Sequence, residues 1–333
     1  MRCVIPWCFA ALAMLSGLAC ADPYDGGDPA DDDDSMDDDS VADDDSADDD
    51  SAVDDDDDDT TATVIEFIPR LAAGYAHTCA VDDEGHVICW GCQNHAEYDE
   101  GQCTPPEGQF TQVAAGALLS CALAVDGSVA CWGKMDSGTA TGLVGPFVQI
   151  TAGEAHACAL DGGGAVTCWG CEPAGSGVCD PPDGHFAQIT AADDFACAIG
   201  DDLQVVCWGT SGHALDGTDE PLIHVAAGDG VACGIKASNQ MVICWDCAWF
   251  PDAPLGIAAS QVAIGNDFGC LLDEDGLAVC WCDAGDNEYG QADPPSGTFE
   301  EIAASRGFHA CGRLVNGPIT CWGDDSYGQA SPP

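Results

Sequence analysis

The chain has 333 residues, 46% of them apolar, and a formal charge of −53 from 59 acidic against 6 basic residues. That is enough apolar material for a folded core, and it excludes partners held through phosphate groups or anionic headgroups. Binding to a nucleic acid by counterion release needs clustered Lys and Arg, and six scattered basic residues form no cluster.

Residues 1–20 read as an export signal, with Arg2 as the single charge and Cys8–Leu18 as an apolar run. That run is too short to cross a bilayer of about 30 Å as a helix. Two cleavage schemes fit. "LSGLAC" resembles a bacterial lipobox with Cys20 as the lipid acceptor, although Gly17 stands where leucine is usual. Ala19-Cys20-Ala21 also fits the small-x-small site of ordinary signal peptidase. Lipidation of Cys20 is preferred, because a long polar tether follows it at once. Both schemes export the chain. The expected location is the bacterial outer membrane or cell surface, touching the membrane through the lipid alone, with a periplasmic or secreted protein as the alternative.

Residues 21–63 carry 22 of the 59 acids and no Lys or Arg, which leaves 37 acids and 5 bases for the rest. Self-repulsion and the lack of apolar side chains predict a disordered, extended stalk. At about 3.3 Å per residue it would reach at most roughly 140 Å. A specific calcium site would need a shaped loop with a glycine turn, which the aspartate runs lack.

Residues 64–333 repeat one unit seven times. The units align on Cys79/Cys89, Cys121/Cys131, Cys158/Cys168, Cys197/Cys207, Cys233/Cys244, Cys270/Cys280 and Cys311/Cys321, and Trp follows every second cysteine. Each unit opens on a segment such as "QVAAG", continues as an apolar strand, turns at Asp-Gly or Asn-Gly, and ends a second strand in Cys-Trp. This is a β-hairpin signature. Pairing Val81 with Val87 sets Cys79 opposite Cys89 on one sheet face and Trp90 on the other. The fifth unit has one extra residue between its cysteines, which predicts a bulge or longer turn near Asn239. Sheets apolar on both faces must stack, and stacking around an axis gives a propeller, with a solenoid as the runner-up. "VIEFIPRLAAG" at 64–74 supplies the piece that would follow the final "ASPP", so the ends are expected to meet and close a ring.

"AAGYAHTCAVDDEGHVICWG" and "AAGALLSCALAVDGSVACWG" resemble the repeat of the regulator of chromosome condensation (RCC1) family in its short bacterial form. The resemblance covers 64–333 and implies an all-β, seven-bladed β-propeller, as in an exported β-lactamase-inhibiting member with small blades. The repeats are set at about 64–106, 107–145, 146–182, 183–220, 221–257, 258–295 and 296–333. The family's activities run from nucleotide exchange on a small GTPase to enzyme inhibition, so function does not follow from the fold.

In an exported chain, cysteines are read first as disulfides. The seven aligned pairs form a ladder, each closing a loop of about 10 residues worth roughly 3 kcal/mol in the chain-entropy model. Cys92–Cys103 and Cys171–Cys179 would pin single loops, and Cys247–Cys282 would bridge the fifth and sixth blades. Redox use of "CWGC" and zinc binding are set aside: the ladder claims the first cysteine, and the remaining thiols lie in dispersed pairs. No metal or cofactor is expected.

His77, His156 and His309 share a slot that holds Leu119, Phe195, Val231 and Phe268 in other units, so it reads as a packing position. No catalytic motif emerges, and the expectation is a non-enzyme. The closing loops differ most between units. Trp249, Phe250, Tyr98 and His95 are the candidate binding rim, with packing of Trp249-Phe250 onto the rim as the alternative. The expected function is a monomeric surface scaffold recognising an extracellular or periplasmic protein or glycan. A hydrolase-type propeller enzyme is the alternative, followed by a nucleotide-exchange role.

Overall fold

Each Cys-Trp unit folds as one small antiparallel sheet, in a computed structural model that describes residues 63–64, 68–92, 98–134, 141–143, 145–171, 177–210, 218–245, 250, 253–282, 286–304 and 306–333. Blade 1 comprises β1 (Leu71–Ala73), β2 (His77–Val81) and β3 (Val87–Gly91). Blade 2 comprises β4 (Phe110–Ala115), β5 (Leu119–Ala124), β6 (Val129–Gly133) and β7 (Thr141–Leu143). Blade 3 is β8 (Phe147–Ala152), β9 (Ala157–Asp161) and β10 (Val166–Trp169), and blade 4 is β11 (Phe186–Ala191), β12 (Phe195–Gly200) and β13 (Val205–Gly209). Blade 5 is β14 (Leu222–Ala227), β15 (Ala232–Lys236) and β16 (Val242–Trp245). Blade 6 is β17 (Ala259–Ile264), β18 (Phe268–Asp273) and β19 (Ala278–Cys282), and blade 7 is β20 (Phe299–Ala304), β21 (His309–Leu314) and β22 (Ile319–Gly323).

Six sheets run inner–middle–outer in chain order, and the second adds β7 outside β6. The inner strands stand side by side in a closed circuit: β1 against β4, then β8, β11, β14, β17 and β20, which returns to β1. The folded region is therefore a seven-bladed all-β propeller.

Alternation along the strands decides what each blade shows its neighbours. Val81 faces Val87 and Cys79 faces Cys89, whose sulfurs are bonded at 2.03 Å. The same cross-strand disulfide joins the middle and outer strands of the other six blades. In blade 5 the ladder stays unbroken from Ile235↔Val242 to Cys233↔Cys244. Its extra residue lies in the turn, where Gln240 takes a φ of 58°.

The tryptophan next to each disulfide points the other way and meets the disulfide of the preceding blade. Trp132 shares an apolar cluster with Cys79 and Cys89, and Trp169 with Cys121 and Cys131. Trp208 packs with Cys158 and Cys168, and Trp245 with Cys197 and Cys207. Trp281 lies with Cys233 and Cys244, and Trp322 with Cys270 and Cys280. Trp90 of blade 1 packs with Cys311 and Cys321 of blade 7, so the ring closes with the same contact that builds it.

A second set of contacts runs nearer the axis. Inner strands of blades 2–7 each carry a register shift just before one polar residue: Gln112, Gln149, Gln188, His224, Gln261 and Glu301. Such a bulge re-aims the side chain that follows it. Gln149 accepts from Ile189 N–H at 2.9 Å and donates to Ile189 O at 3.1 Å, and Gln261 treats Ile302 of blade 7 likewise. Gln112 accepts from Ile150 N–H and Gln188 from Val225 N–H.

Blade 7 places Glu301 in this slot, where its Oε1 accepts from Arg70 N–H at 2.8 Å and Leu71 N–H at 2.9 Å of blade 1. Burial pushes the Glu301 carboxyl up to about 7, against the opposing pull of the Leu71 and Arg70 N–H groups and the Arg313 charge.

Two expectations follow from these contacts. Trp90→Ala leaves a void against the Cys311–Cys321 disulfide at the seam and should cost about 3–5 kcal/mol in denaturant titration with the disulfides intact. An unchanged midpoint would show that the seam does not depend on it. Glu301 ionises near 4.5 when unfolded and near 7 when folded, so its contribution is full below pH 4.5 and is lost as the pH rises through 7. Glu301→Gln should therefore gain stability over the native chain between pH 5 and pH 8, by on the order of 2–3 kcal/mol. Burial holds His77 down to about 3, and His156, His224 and His309 down to about 4, so these groups weaken the fold at acid pH. Their effect cancels in the difference between the two proteins. A flat difference across that range refutes the assignment.

Candidate recognition face

Strand direction gives the ring two ends. The turns between inner and middle strands, and the start of each closing loop, lie at one end, the upper face. The hairpin turns between middle and outer strands lie at the other. In blades 1–4 and 7 a glycine after Trp, at positive φ, turns the chain out of the sheet. At Gly91, φ is 92° and a Cβ would stand 2.5 Å from Ala76 O, so a side chain is excluded there on both counts.

The closing loops of blades 1, 6 and 7 share one pattern, "YDEGQCTPP", "YGQADPP" and "YGQASPP". Gln102, Gln291 and Gln329 are fully buried within them. Their Oε1 atoms accept from Glu100 N–H at 2.8 Å, Tyr289 N–H at 3.2 Å and Tyr327 N–H at 2.7 Å. Their amides donate back to Tyr98 O, Asp286 O and Asp324 Oδ2. Their backbone carbonyls accept the indole N–H of the next blade: Gln102 from Trp132 at 2.7 Å, Gln291 from Trp322 at 3.0 Å and Gln329 from Trp90 at 2.9 Å. Val178 O takes Trp208 in the same way at 2.9 Å.

These loops, with the inner turns of blades 1 and 7 that carry Tyr75 and Phe308, set an aromatic arc over blades 6, 7 and 1. Tyr98 stands edge-on to Tyr327 at 5.2 Å between ring centroids and lies 6.1 Å from Tyr75. Tyr75 is 6.4 Å from Tyr327, and Tyr289 packs on Phe308 at 5.5 Å. Tyr289 is 48% exposed, and the other four rings are half-buried. Burial, together with Tyr75, Tyr98 and Asp324, raises the Tyr327 hydroxyl pKa. Asp99, Glu100, Asp286, Glu288 and Asp325 are exposed around the arc.

Across the channel mouth from the arc lies an acidic group. Arg306, on the inner turn of blade 7, reaches Glu154 Oε2 of blade 3 at 2.7 Å and Asp193 Oδ1 of blade 4 at 3.2 Å. Burial and a side-chain hydrogen bond that the protonated Asp193 carboxyl donates to Asp229 push it well above the usual carboxylate range, against the Arg306 charge. Below this bar the channel holds a cavity of about 150 Å³ lined in part by Gln149, Gln188, Gln261 and His224. At the lower end, Asp82, Glu84 and His86 bring one ligand atom each within 4.8 Å of one another. There Asp82 Oδ1 accepts from His86 N–H at 2.8 Å as part of the hairpin turn.

Of the rim residues expected from sequence, Tyr98 lies in the aromatic arc. Phe250 is half-buried and packs with the apolar cluster of blades 5 and 6, which is the packing alternative. His95, Trp249, Cys247 and Cys20 lie outside the described residues. Cys282 is half-buried at the end of β19. Cys92–Cys103 and Cys171–Cys179 are bonded, making nine disulfides among the described residues. His77 and His309 are buried and also bond across blade boundaries, to Ser120 Oγ at 2.8 Å and Thr78 Oγ1 at 2.9 Å. Sequence reasoning did not single out Tyr75, Tyr289, Tyr327, Phe308 or Arg306. The signal for the tyrosines was present in the shared Tyr-bearing Gly-Gln-x-x-Pro-Pro loops.

Comparison with known proteins places this geometry. A model of the regulator of chromosome condensation (RCC1) repeat matches residues 70–97 and 147–175, the stretches that form most of blades 1 and 3. The ectodomain of the Physcomitrella patens receptor kinase CR4 is similar at TM-score 0.65 and 23% identity, over 77% of this chain and 73% of its own. The CRINKLY WD40 ectodomain of the Arabidopsis thaliana receptor kinase ACR4 is similar at TM-score 0.63 and 24% identity, over 77% and 95%. Human WBSCR16 is similar at TM-score 0.57 and 15% identity, over 72% and 86%.

Gln329→Ala removes the side chain that bonds Tyr327 N–H and Asp324, while the backbone carbonyl that holds Trp90 remains. Amide hydrogen exchange at 324–330 should quicken by about tenfold or more while exchange in the middle strands stays unchanged, consistent with losing buried hydrogen bonds of about 1 kcal/mol each. Unchanged exchange in the loop would show that the glutamine does not hold it.

Proposed function

We propose that this RCC1-repeat propeller is an exported recognition scaffold, held at the cell surface through Cys20, that binds an extracellular or periplasmic protein or glycan on its upper face. One observation carries the reading. The four tyrosines of the repeat region, from its first and last two blades in sequence, stand at one end of the ring, three of them on loops fixed by buried glutamines. Rigid aromatic groups on preorganised loops suit recognition, because little side-chain freedom remains to be lost on binding. Nine disulfides support an oxidising compartment. So does the structural likeness to two receptor-kinase ectodomains. The amides lining the channel already bond neighbouring strands, and Arg306 bars its mouth, which favours binding on the rim over chemistry in the channel.

The test is capture of surface macromolecules on the immobilised full chain, followed by hydroxyl-radical footprinting of the complex. Protection should fall on the upper loops, with Tyr98, Tyr289 and Tyr327 among the protected residues, and spare the lower hairpin turns at 82–86 and 125–128. Protection confined to the lower turns, or none, would overturn the reading.

A further inference from the structure

The upper face is not uniform, and its chemistry narrows the ligand. The arc is made of two groups of rings, Tyr75, Tyr98 and Tyr327 of blades 1 and 7 and Tyr289 with Phe308 of blades 6 and 7, which together span three consecutive blades. The closing loops of Tyr98, Tyr289 and Tyr327 carry Asp99, Glu100, Asp286, Glu288, Asp324 and Asp325 beside the rings and, with His95, hold no Lys or Arg. Among the described residues no Lys or Arg pairs with them; Arg306, on the same inner turn as Phe308, is engaged by Glu154 and Asp193. The rings offer negative π-faces and phenolic oxygens, and the carboxylates offer unneutralised charge. A cation over an aromatic face within about 6 Å of its centroid is attracted by the ring, most of all when a carboxylate also reaches it.

We propose that the tyrosine arc at the blade 6–7–1 seam binds a cationic protein segment, taking Arg or Lys side chains between the rings and the surrounding carboxylates. The proposal rests on the recognition reading above and names its ligand chemistry. Three features argue for a basic segment over a neutral glycan. The charges that the tyrosine-bearing closing loops hold beside the rings are acidic, the whole chain carries −53, and the three tyrosines of the seam stand edge-on or tilted to one another in a cluster, not as a flat stacking platform for a sugar ring. Electrostatic attraction of this kind speeds encounter and falls with salt.

The acidic stalk is a second place where a cationic probe could adhere, so the test must separate the two. The full chain is titrated by calorimetry with an octapeptide of alternating Arg and Lys, with a Ser-Gly octapeptide and with neutral hexasaccharides, at 50 and 300 mM salt. It is then repeated with Y98A/Y327A and, on the neighbouring loop, with Y289A. Near-ultraviolet circular dichroism and thermal melting check that each variant keeps the native ring. The expected result is a saturable one-site binding of the basic peptide, weakened about tenfold or more in Y98A/Y327A and less in Y289A, with no binding of the Ser-Gly peptide. Equal binding by native and variant chains assigns the peptide to the stalk or the general surface charge and overturns the proposal. Hexasaccharide binding lost in the variant, without basic-peptide binding, also overturns it while leaving rim recognition standing. If neither probe binds and footprinting shows no protection of the upper loops, the recognition reading fails with it.

Discussion

The contact on which the molecule depends is that between an indole and a disulfide across each blade boundary. It follows from the period of a β-strand. Adjacent residues on a strand face opposite ways, so Cys followed by Trp gives each blade a sulfur bridge on one side and an indole on the other. Each blade is thereby both acceptor and donor of the same contact, and a ring of such blades has no odd surface left over. This explains the strict adjacency of the two residue types in all seven units, which neither disulfide formation nor core packing alone requires. The disulfide stiffens two of the strands before any neighbour arrives, and the indole provides a large share of the apolar area at the boundary.

The same tryptophans connect the scaffold to the face. Trp90, Trp132 and Trp322 bury their rings against a disulfide and donate their N–H to the carbonyl of a glutamine in the preceding closing loop. That glutamine's side chain then holds the tyrosine-bearing turn. The indole N–H, which would be costly to bury without a partner, is satisfied by the loop it positions. Packing in the core and the placement of the outer loop are thus one device, and the loops of blades 1, 6 and 7 inherit the rigidity of the blades beneath them.

Much of the fold was legible in the sequence because the repeat reports it directly. The even cysteine spacing implies the register, the turns mark the hairpins, and two apolar faces demand stacking. The glutamine relay was not legible, because the partner of each side chain lies in another blade and the bulge that aims it leaves no compositional mark. The histidine slot shows the same limit: its apolar alternatives identify packing, while the bonds from His77 to Ser120 and His309 to Thr78 need the neighbouring blade to be seen. The candidate face was legible only at Tyr98. Tyr327 and Tyr98 are far apart in sequence and become neighbours only when the ring closes, whereas Trp249-Phe250 are adjacent in sequence, and adjacency does not distinguish an exposed ring from one like Phe250 that packs inward.

Closure also decides where the chain's charge can act. On the axis, polar side chains are consumed in holding inner strands together, and at the mouth Arg306 is held by Glu154 and Asp193 on the opposite side of the ring. The one acid in the relay, Glu301, sits at the seam, where blade 1 offers two backbone N–H groups in place of the amide-to-peptide pair made by Gln149 and Gln261. Both N–H groups end on one oxygen, Oε1, and Oε2 lies 3.7 Å from Arg313 Nε in place of an amide donating to the neighbouring strand. The seam therefore differs chemically from the neighbouring boundaries, and the tyrosine arc stands over it. The axial groups are engaged internally, whereas the acidic groups around that arc pair with no Lys or Arg among the described residues, and that is the charge a basic segment would meet under the proposal.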